Sequence, residues 1–198
     1  MAQITDEQLL ILFRRGDEDA FVQLVKRYEK ELYNFLLRFL RQPSLAEDVF
    51  QETFFQVHLS ADSFKSDRRF RPWLYTIASN KARDLLRSRA RRPTVQLSTY
   101  DADQDAGQLW DFLLADHTTA EEIFEKKQQK ELVREVVGKL PDHLRQILIL
   151  AYFSKLSYQE MAEVLEIPLG TVKSRLHSAV AHFGRLYREQ TDSEDRTI

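Results

Sequence analysis

The sequence predicts an all-α protein: two small helical domains joined by an acidic linker, the C-terminal one a helix-turn-helix bundle. Three observations lead there. Apolar residues recur at helical spacing through most of the chain, while alternating apolar runs are missing and only five glycines are present to turn a sheet. Thr5/Gln8, Ser44/Glu47, Thr119/Glu122 and Ser157/Glu160 repeat the spacing of a capping box, in which each side chain satisfies a free backbone N–H at a helix start. Residues 156–183 read as a helix, a short hinge and a second helix.

The elements follow in order. Thr5 caps a first helix that ends at Gly16, and a long second helix runs from about Asp17 to Arg41. Its core stripe is Phe21, Leu24, Val25, Tyr28, Leu32, Phe35, Leu36 and Phe39. Ser44 and Glu47 open a third helix, to about Leu59. Residues 60–69 form a polar loop. A basic helix then runs from Phe70 to about Arg92, where Pro93 stops it. Residues 93–118 keep no sustained period and read as a linker. Thr119 caps the next helix, which continues to about Gly138; Leu140-Pro141 opens another through Phe153, proline being tolerated in a first turn. Ser157 caps the first helix of the helix-turn-helix, Pro168 ends it, and the second begins near Thr171. Domain boundaries are therefore expected at 1–92, 93–118 and 119–190, with a tail at 191–198.

Composition narrows the function classes. With no cysteine, neither a disulfide framework nor a thiolate metal site is available. The longest apolar run, Ile147 to Phe153, is too short to cross a bilayer, so no membrane insertion and a cytoplasmic location are expected. The net charge of −2 hides a segregation. Lys81, Arg83, Arg87, Arg89, Arg91 and Arg92 face a single Asp84, whereas residues 101–125 carry Asp101, Asp103, Asp105, Asp111, Asp116, Glu121, Glu122 and Glu125 with no cation. His58, His117, His143, His177 and His182 are scattered, and no glycine-rich phosphate loop or nucleophile elbow occurs. No catalytic residue, metal site or cofactor is expected, and the chain is not read as an enzyme.

Two surfaces suit nucleic acid. On the last helix, Val172, Leu176, Ala179, Val180, Phe183 and Leu186 form a core stripe. Ser174, His177, Ser178 and Arg185 face outward with Lys173 and Arg175 on the flanks, the pattern that enters a major groove. An ordinary amphipathic helix with a solvated face is the plainer reading. On the basic helix, Leu74, Ile77, Ala78 and Leu85 make the core stripe, and Thr76, Asn80, Arg83 and Arg87 line the opposite side. Phe64, Phe70, Trp73 and Tyr75, interleaved with Lys65, Arg68, Arg69, Arg71 and Asn80, supply rings to stack on, cations for phosphates and an amide for base edges. Trp73 is expected half-buried, and Lys81 reaches outward from near the core stripe.

A third surface suits a protein. Asp48 and Glu52 lie four apart on the third helix, with Gln51 beside them and Val49, Phe50, Phe54 and Val57 supplying apolar area. A carboxylate pair of this kind is also compatible with acid–base or metal chemistry, or with plain solvated charge.

The combination resembles the extracytoplasmic-function (group 4) sigma factors of bacterial RNA polymerase, within the primary sigma factor family. Three motifs in the family's order carry the resemblance across nearly the whole chain: Asp48-Val49-Phe50-Gln51-Glu52-Thr53-Phe54, Phe70 through Asp84 with Trp73-Leu74 and Ile77-Ala78-Ser79-Asn80, and Gly170-Thr171-Val172-Lys173-Ser174-Arg175. The resemblance implies docking on core polymerase through Asp48, Gln51, Glu52 and Phe54 at the clamp helices, with the flap as a further contact. It implies recognition of the minus ten element, as unpaired strand, by Phe64, Lys65, Arg69, Trp73, Thr76, Asn80, Arg83 and Arg87, the loop from Phe64 to Arg69 helping to receive a flipped base that Asn80 contacts. Thr171, Lys173, Ser174, Arg175, His177 and Ser178 would read the duplex minus thirty-five element. The acidic linker would thread polymerase channels that otherwise carry nucleic acid, and a separate anti-sigma factor would regulate the chain. One departure stands out: the family often has a second basic residue just after the position of His177, where this chain has Ser178, followed by Ala181. A helix-turn-helix regulator that binds duplex operators as a dimer without polymerase is the alternative, and a nuclease or recombinase built on Asp48 and Glu52 a third.

Overall fold

A computed structural model describes residues 4–65, 67–91 and 120–194, with side chains of the last stretch from 129 to 192. Among them are eight α-helices and no strand: α1 (Asp6–Arg14), α2 (Glu18–Leu40), α3 (Pro43–Ser60), α4 (Phe70–Arg91), α5 (Ala120–Lys139), α6 (Asp142–Tyr152), α7 (Tyr158–Leu165) and α8 (Leu169–Glu194). A 3-10 turn at Ala61–Ser63 follows α3. The described residues fall into two compact units, one made of α1 to α4 with residues 159–167, the other of α5, α6 and α8. The expected linker, the Thr119/Glu122 cap, and Arg92 and Pro93 lie outside the described residues and side chains.

In the first unit α2 is the spine, packing on α1, α3 and α4, while α3 also packs on α4. Both bonds of the Thr5/Gln8 capping box form, at 2.9 and 3.3 Å. Gly16, at φ +98°, then makes the sharp exit before Asp17 caps α2 through a 3.2 Å bond from the Ala20 N–H. The α2 stripe is buried at Leu24, Tyr28, Leu32, Phe35, Leu36 and Phe39, joined by Ala20 and Leu40, with Phe21 and Val25 half-buried. Arg41 closes the helix in the left-handed region at φ +60°.

The start of α3 differs from expectation. Ser44 makes no cap; Gln42 occupies that position without a side-chain capping bond, its Oε1 instead accepting from Arg89 Nη1 at 2.9 Å, and its carbonyl accepts from the Ala46 N–H at 3.0 Å. Pro43 explains the shift, because its fixed φ suits the first helical residue and its missing N–H costs nothing there. The segment 60–69 is likewise not a plain polar loop, since Ala61 and Phe64 are buried beneath it.

The buried face of α4 is Phe70, Pro72, Leu74, Tyr75, Ala78, Ser79 and Ala82, with Ile77 and Leu85 only half-buried. The small residues Ala78, Ser79 and Ala82 let this helix lie close to its neighbours. Its first turn is fixed from outside: the Phe70 N–H donates to Glu7 Oε1 at 2.8 Å. A carboxylate at a helix N-terminus satisfies a free donor and opposes the positive end of the macrodipole.

In the second unit α8 packs on α6 and α5. Val133, Val136, Val137 and Leu140 of α5 and its exit, Leu144, Ile147, Ile149 and Leu150 of α6, and Val172, Leu176 and Ala179 of α8 are buried. Pro141 is the N-cap of α6 rather than a first-turn residue, its carbonyl accepting from Leu144 and Arg145 at 2.9 Å. Pro168 does not stop α7. The chain turns at Glu166, held left-handed at φ +54°, while the Ile167 N–H returns to the Ala162 carbonyl at 3.1 Å. The Pro168 carbonyl accepts from Val172 at 3.0 Å, so α8 begins at Leu169, two residues before Thr171, and it continues to Glu194, past the expected end at 190. Val180, expected in the core stripe, is 43% exposed, and Phe183 and Leu186 are half-buried. Beyond Ala179 the stripe is only partly covered, although α8 still meets α5 at Gln190, whose amide donates to Glu135.

The cap on α4 makes stability pH-dependent. Burial pushes the Glu7 carboxyl up, but the bonds from Phe70, its own backbone N–H and Thr5, with the charge of Arg69, bring it below the ordinary glutamate value. A lowered carboxyl contributes stability above its unfolded pKa that is lost as pH falls through the folded value. Glu7→Gln is expected to cost about 1 kcal/mol at neutral pH. Its deficit should shrink toward zero below about pH 4. Urea unfolding of both proteins between pH 3 and 7 measures this; a deficit independent of pH would contradict it.

Candidate nucleic-acid interface

The basic helix α4 presents its expected outward residues unevenly. Lys65 and Arg69 are exposed on the segment before it, and Arg87 is exposed with Asp84 3.5 Å away. Trp73 is half-buried as expected, its ring centroid 4.9 Å from Phe64 and 5.8 Å from Phe70. Thr76 is half-buried, and its hydroxyl donates to the Pro72 carbonyl at 2.9 Å. Asn80 and Arg83 are half-buried and bonded to each other, Nη2 of the guanidinium donating to the amide oxygen.

Several expected contacts move inside. Phe64, at 6% exposed, belongs to the ring cluster with Phe70 and Trp73, and Phe70 and Tyr75 are fully buried. These three rings are not platforms for stacked bases; the core needs them to fill the space between α4, α2 and α1. Burial of the Tyr75 ring requires a partner for its hydroxyl, and it donates to Glu31 Oε1 at 2.9 Å. Arg71 is drawn to the same carboxylate rather than outward to a strand. Burial alone would lower the Arg71 pKa, but the Glu31 bond and charge raise it. Alongside, the buried Tyr28 hydroxyl donates to Asp6, and burial followed by that carboxylate pushes its pKa well up. Lys81 reaches outward from the core stripe as expected, its Nζ 3.4 Å from Glu52 on α3.

On α3, Asp48, Gln51 and Glu52 are exposed together, but Phe54 is not part of that surface. It is 5% exposed, packed against Phe21 and Phe50 with centroids 6.2 and 5.0 Å away. Val49 and Val57 are buried too. The apolar part of the face is instead Phe55, at 65% exposed, and Leu59, at 61%. Asp48, Glu52, Phe55 and Leu59 follow one another by four, three and four residues, which places them on one stripe. That signal was present in the sequence, obscured by the adjacent Phe54. Among the described residues no group of three or more metal-ligating side chains gathers, at this pair or elsewhere.

On α8, Lys173, Ser174, His177 and Ser178 are exposed, with Thr171 and Arg175 half-buried. Ala181 and Arg185 continue the same open side, Arg185 lying 2.8 Å from His182. The Ser174 hydroxyl donates to the Thr171 carbonyl at 3.2 Å, leaving its oxygen able to accept. No described helix is long and apolar enough to cross a membrane.

Comparison with known proteins places these surfaces in a family. The chain matches Sigma-70 region 2 over residues 24–92 and Sigma-70 region 4 over residues 130–183. It is 34% identical over 164 residues to the ECF RNA polymerase sigma factor SigW of Bacillus subtilis, covering 83% of this chain and 87% of that protein. It is 34% identical over 180 residues to the RNA polymerase sigma-H factor of Pseudomonas aeruginosa, covering 90% and 92%. Among solved structures, CnrH in complex with the cytosolic domain of CnrY is similar with a TM-score of 0.67 at 26% identity, covering 93% of this chain and 97% of that one. The sigma factor RpoE of Bartonella quintana shares the fold, with a TM-score of 0.65 at 21% identity over 85% of this chain and 96% of that one. The relatives' names support the narrower extracytoplasmic-function group, and the wider label of primary sigma factor does not suit it. The chain belongs to the extracytoplasmic-function sigma factors, which direct core RNA polymerase to specific promoters and promote DNA melting for transcription initiation.

Proposed function

We propose that this chain is a cytoplasmic group 4 factor that docks on the polymerase clamp helices through α3, captures the unpaired minus ten strand along α4, and holds the duplex minus thirty-five element with α8. The exposed stripe of Asp48, Glu52, Phe55 and Leu59 carries the reading, because two large apolar side chains stand open beside carboxylates that no internal core requires. A partner with apolar and basic residues on one helical face would bury the first and pair with the second. In this reading Gln51 adds a polar contact and Phe54 supports the stripe from beneath. The second unit meets the polymerase flap.

The division of labour follows from the chemistry of the two DNA faces. Lys65, Arg69 and Arg87 offer exposed cations for phosphates, Trp73 is the ring still partly open to a base, and Thr76, Asn80 and Arg83 form the polar strip between them. Contacts available only to a single strand favour the melted state, so opening is driven by binding. Thr171, Lys173, Ser174, Arg175, His177 and Ser178 supply the groove contact, lean in long cations because polymerase provides most of the grip. No bond of DNA changes; the phosphodiester chemistry is the polymerase's. An anti-sigma factor covering the polymerase-docking stripe would control access, a reading supported by the complex of the similarly folded sigma factor RpoE of Bartonella quintana with the anti-sigma factor NepR. The acidic linker, residues 93–118, would imitate nucleic acid in a polymerase channel.

Three measurements test this reading. The purified chain should footprint promoter DNA poorly alone and start transcription with core polymerase; strong protection of a palindrome by the isolated protein would instead favour a dimeric regulator. Phe55→Ala and Asp48→Ala should each weaken core binding about tenfold or more while leaving the unfolding transition within about 0.5 kcal/mol; unchanged pull-down affinity would count against the docking face. Asn80→Ala should abolish permanganate reactivity of unpaired thymines at the minus ten element and spare the upstream duplex contact, whereas normal melting would refute its role.

A further inference from the structure

Arg83 lies one helical turn beyond Asn80 on α4, and its guanidinium is turned back onto its own helix. Nε donates to the Ser79 carbonyl at 3.3 Å, and Nη2 donates to Asn80 Oδ1. A guanidinium carries five donors and no acceptor, so only the oxygen of the amide can face it. Because the amide is planar, with oxygen and nitrogen on opposite sides of Cγ, its NH2 group is then directed away from Arg83. Both side chains are half-buried, which limits the water available to take over either role.

We infer that Arg83 is a positioning residue that locks the Asn80 amide with its oxygen inward, so that the base meeting Asn80 is recognised through an acceptor atom, a carbonyl oxygen or an unprotonated ring nitrogen, and not through an exocyclic amine. This rests on the reading of Asn80 as a base contact and deepens it. It also gives Arg83, otherwise one member of the polar strip, the role of selector. An amide free to rotate accepts or donates equally well and discriminates weakly between bases; one held by a donor-only neighbour presents a single polarity. A surface arginine and asparagine three apart on a helix also stabilise the helix by a small amount, which would leave base preference untouched.

The test is base preference, read with the assembled polymerase holoenzyme on labelled single strands of the minus ten element carrying each base at each position in turn. Asn80→Ala first identifies the position whose preference it removes. There, Arg83→Lys, a donor-only replacement, should keep the wild-type preference, and Arg83→Met should reduce it about fivefold or more. Asn80→Asp, which offers acceptors alone, should bind the preferred base no better than Asn80→Ala. Where the preferred base carries an amine, its deletion by 2-pyrimidinone for cytosine, purine for adenine or hypoxanthine for guanine should change affinity less than about twofold. Upstream duplex preference serves as the folding control for every variant. Undiminished discrimination in Arg83→Met, full affinity in Asn80→Asp, or a fivefold loss on amine deletion would overturn the inference while leaving Asn80 a base contact. If Asn80→Ala alters preference at no position, the base-contact reading fails, and this inference with it.

Discussion

The carboxylate of Glu31 is the constraint on which the first unit turns. It accepts from the Tyr75 hydroxyl at 2.9 Å and pairs with Arg71, so that a tyrosine can lie fully buried between α4 and α2 without an orphaned donor. Phe35 completes the seat, its ring centroid 5.2 Å from that of Tyr75. With Glu7 holding the first turn of α4, the helix is fixed both at its start and along its first two turns. Its rotation about its own axis is thereby set, and with it which residues remain outside.

That rotation decides the chemistry on offer. An α4 turned by one residue, about 100°, in one sense would drive Thr76 and Asn80 into the core, where the amide would lack partners, and in the other sense would bring Tyr75 outward as a stacking ring. In the observed rotation the outer strip is polar, flanked by cations at Lys65, Arg69 and Arg87. On the proposed reading, strand capture relies on hydrogen-bond polarity and phosphate contacts more than on a stack of aromatic platforms. Trp73 is the partial exception, with one side given to Phe64 and Phe70.

The same logic separates the two adjacent phenylalanines of α3. Phe54 meets Phe21 of α2 and is lost to any partner, whereas Phe55, about 100° round the helix, stands in solvent one turn from Leu59. Such open apolar side chains are a liability unless something covers them for part of the protein's working life. On the proposed docking reading, polymerase in one state and an inhibitor in the other would give that cover.

The all-α class, the order of helices, the α2 stripe, the Thr5 cap and the helix-turn-helix were legible in the sequence, because helical periodicity and capping chemistry act over three or four residues. The α3 start was misplaced because Pro43 and Ser44 both fit a helix beginning, and the proline's fixed φ prevails over a hydroxyl. The end of α7 depended on a backbone turn at Glu166 that no side-chain pattern announces. What the sequence could not decide was which of several apolar or aromatic residues on a crowded helix the core would claim. Phe64, Phe70 and Tyr75 against Trp73, Phe54 against Phe55, and Val180 against Ala179 were settled by where neighbouring helices run and how far they extend. Local chemistry determines that a helix forms and which residues can be buried; only tertiary packing, through the volume and hydrogen-bond partners that other helices supply, selects the face left for DNA and polymerase.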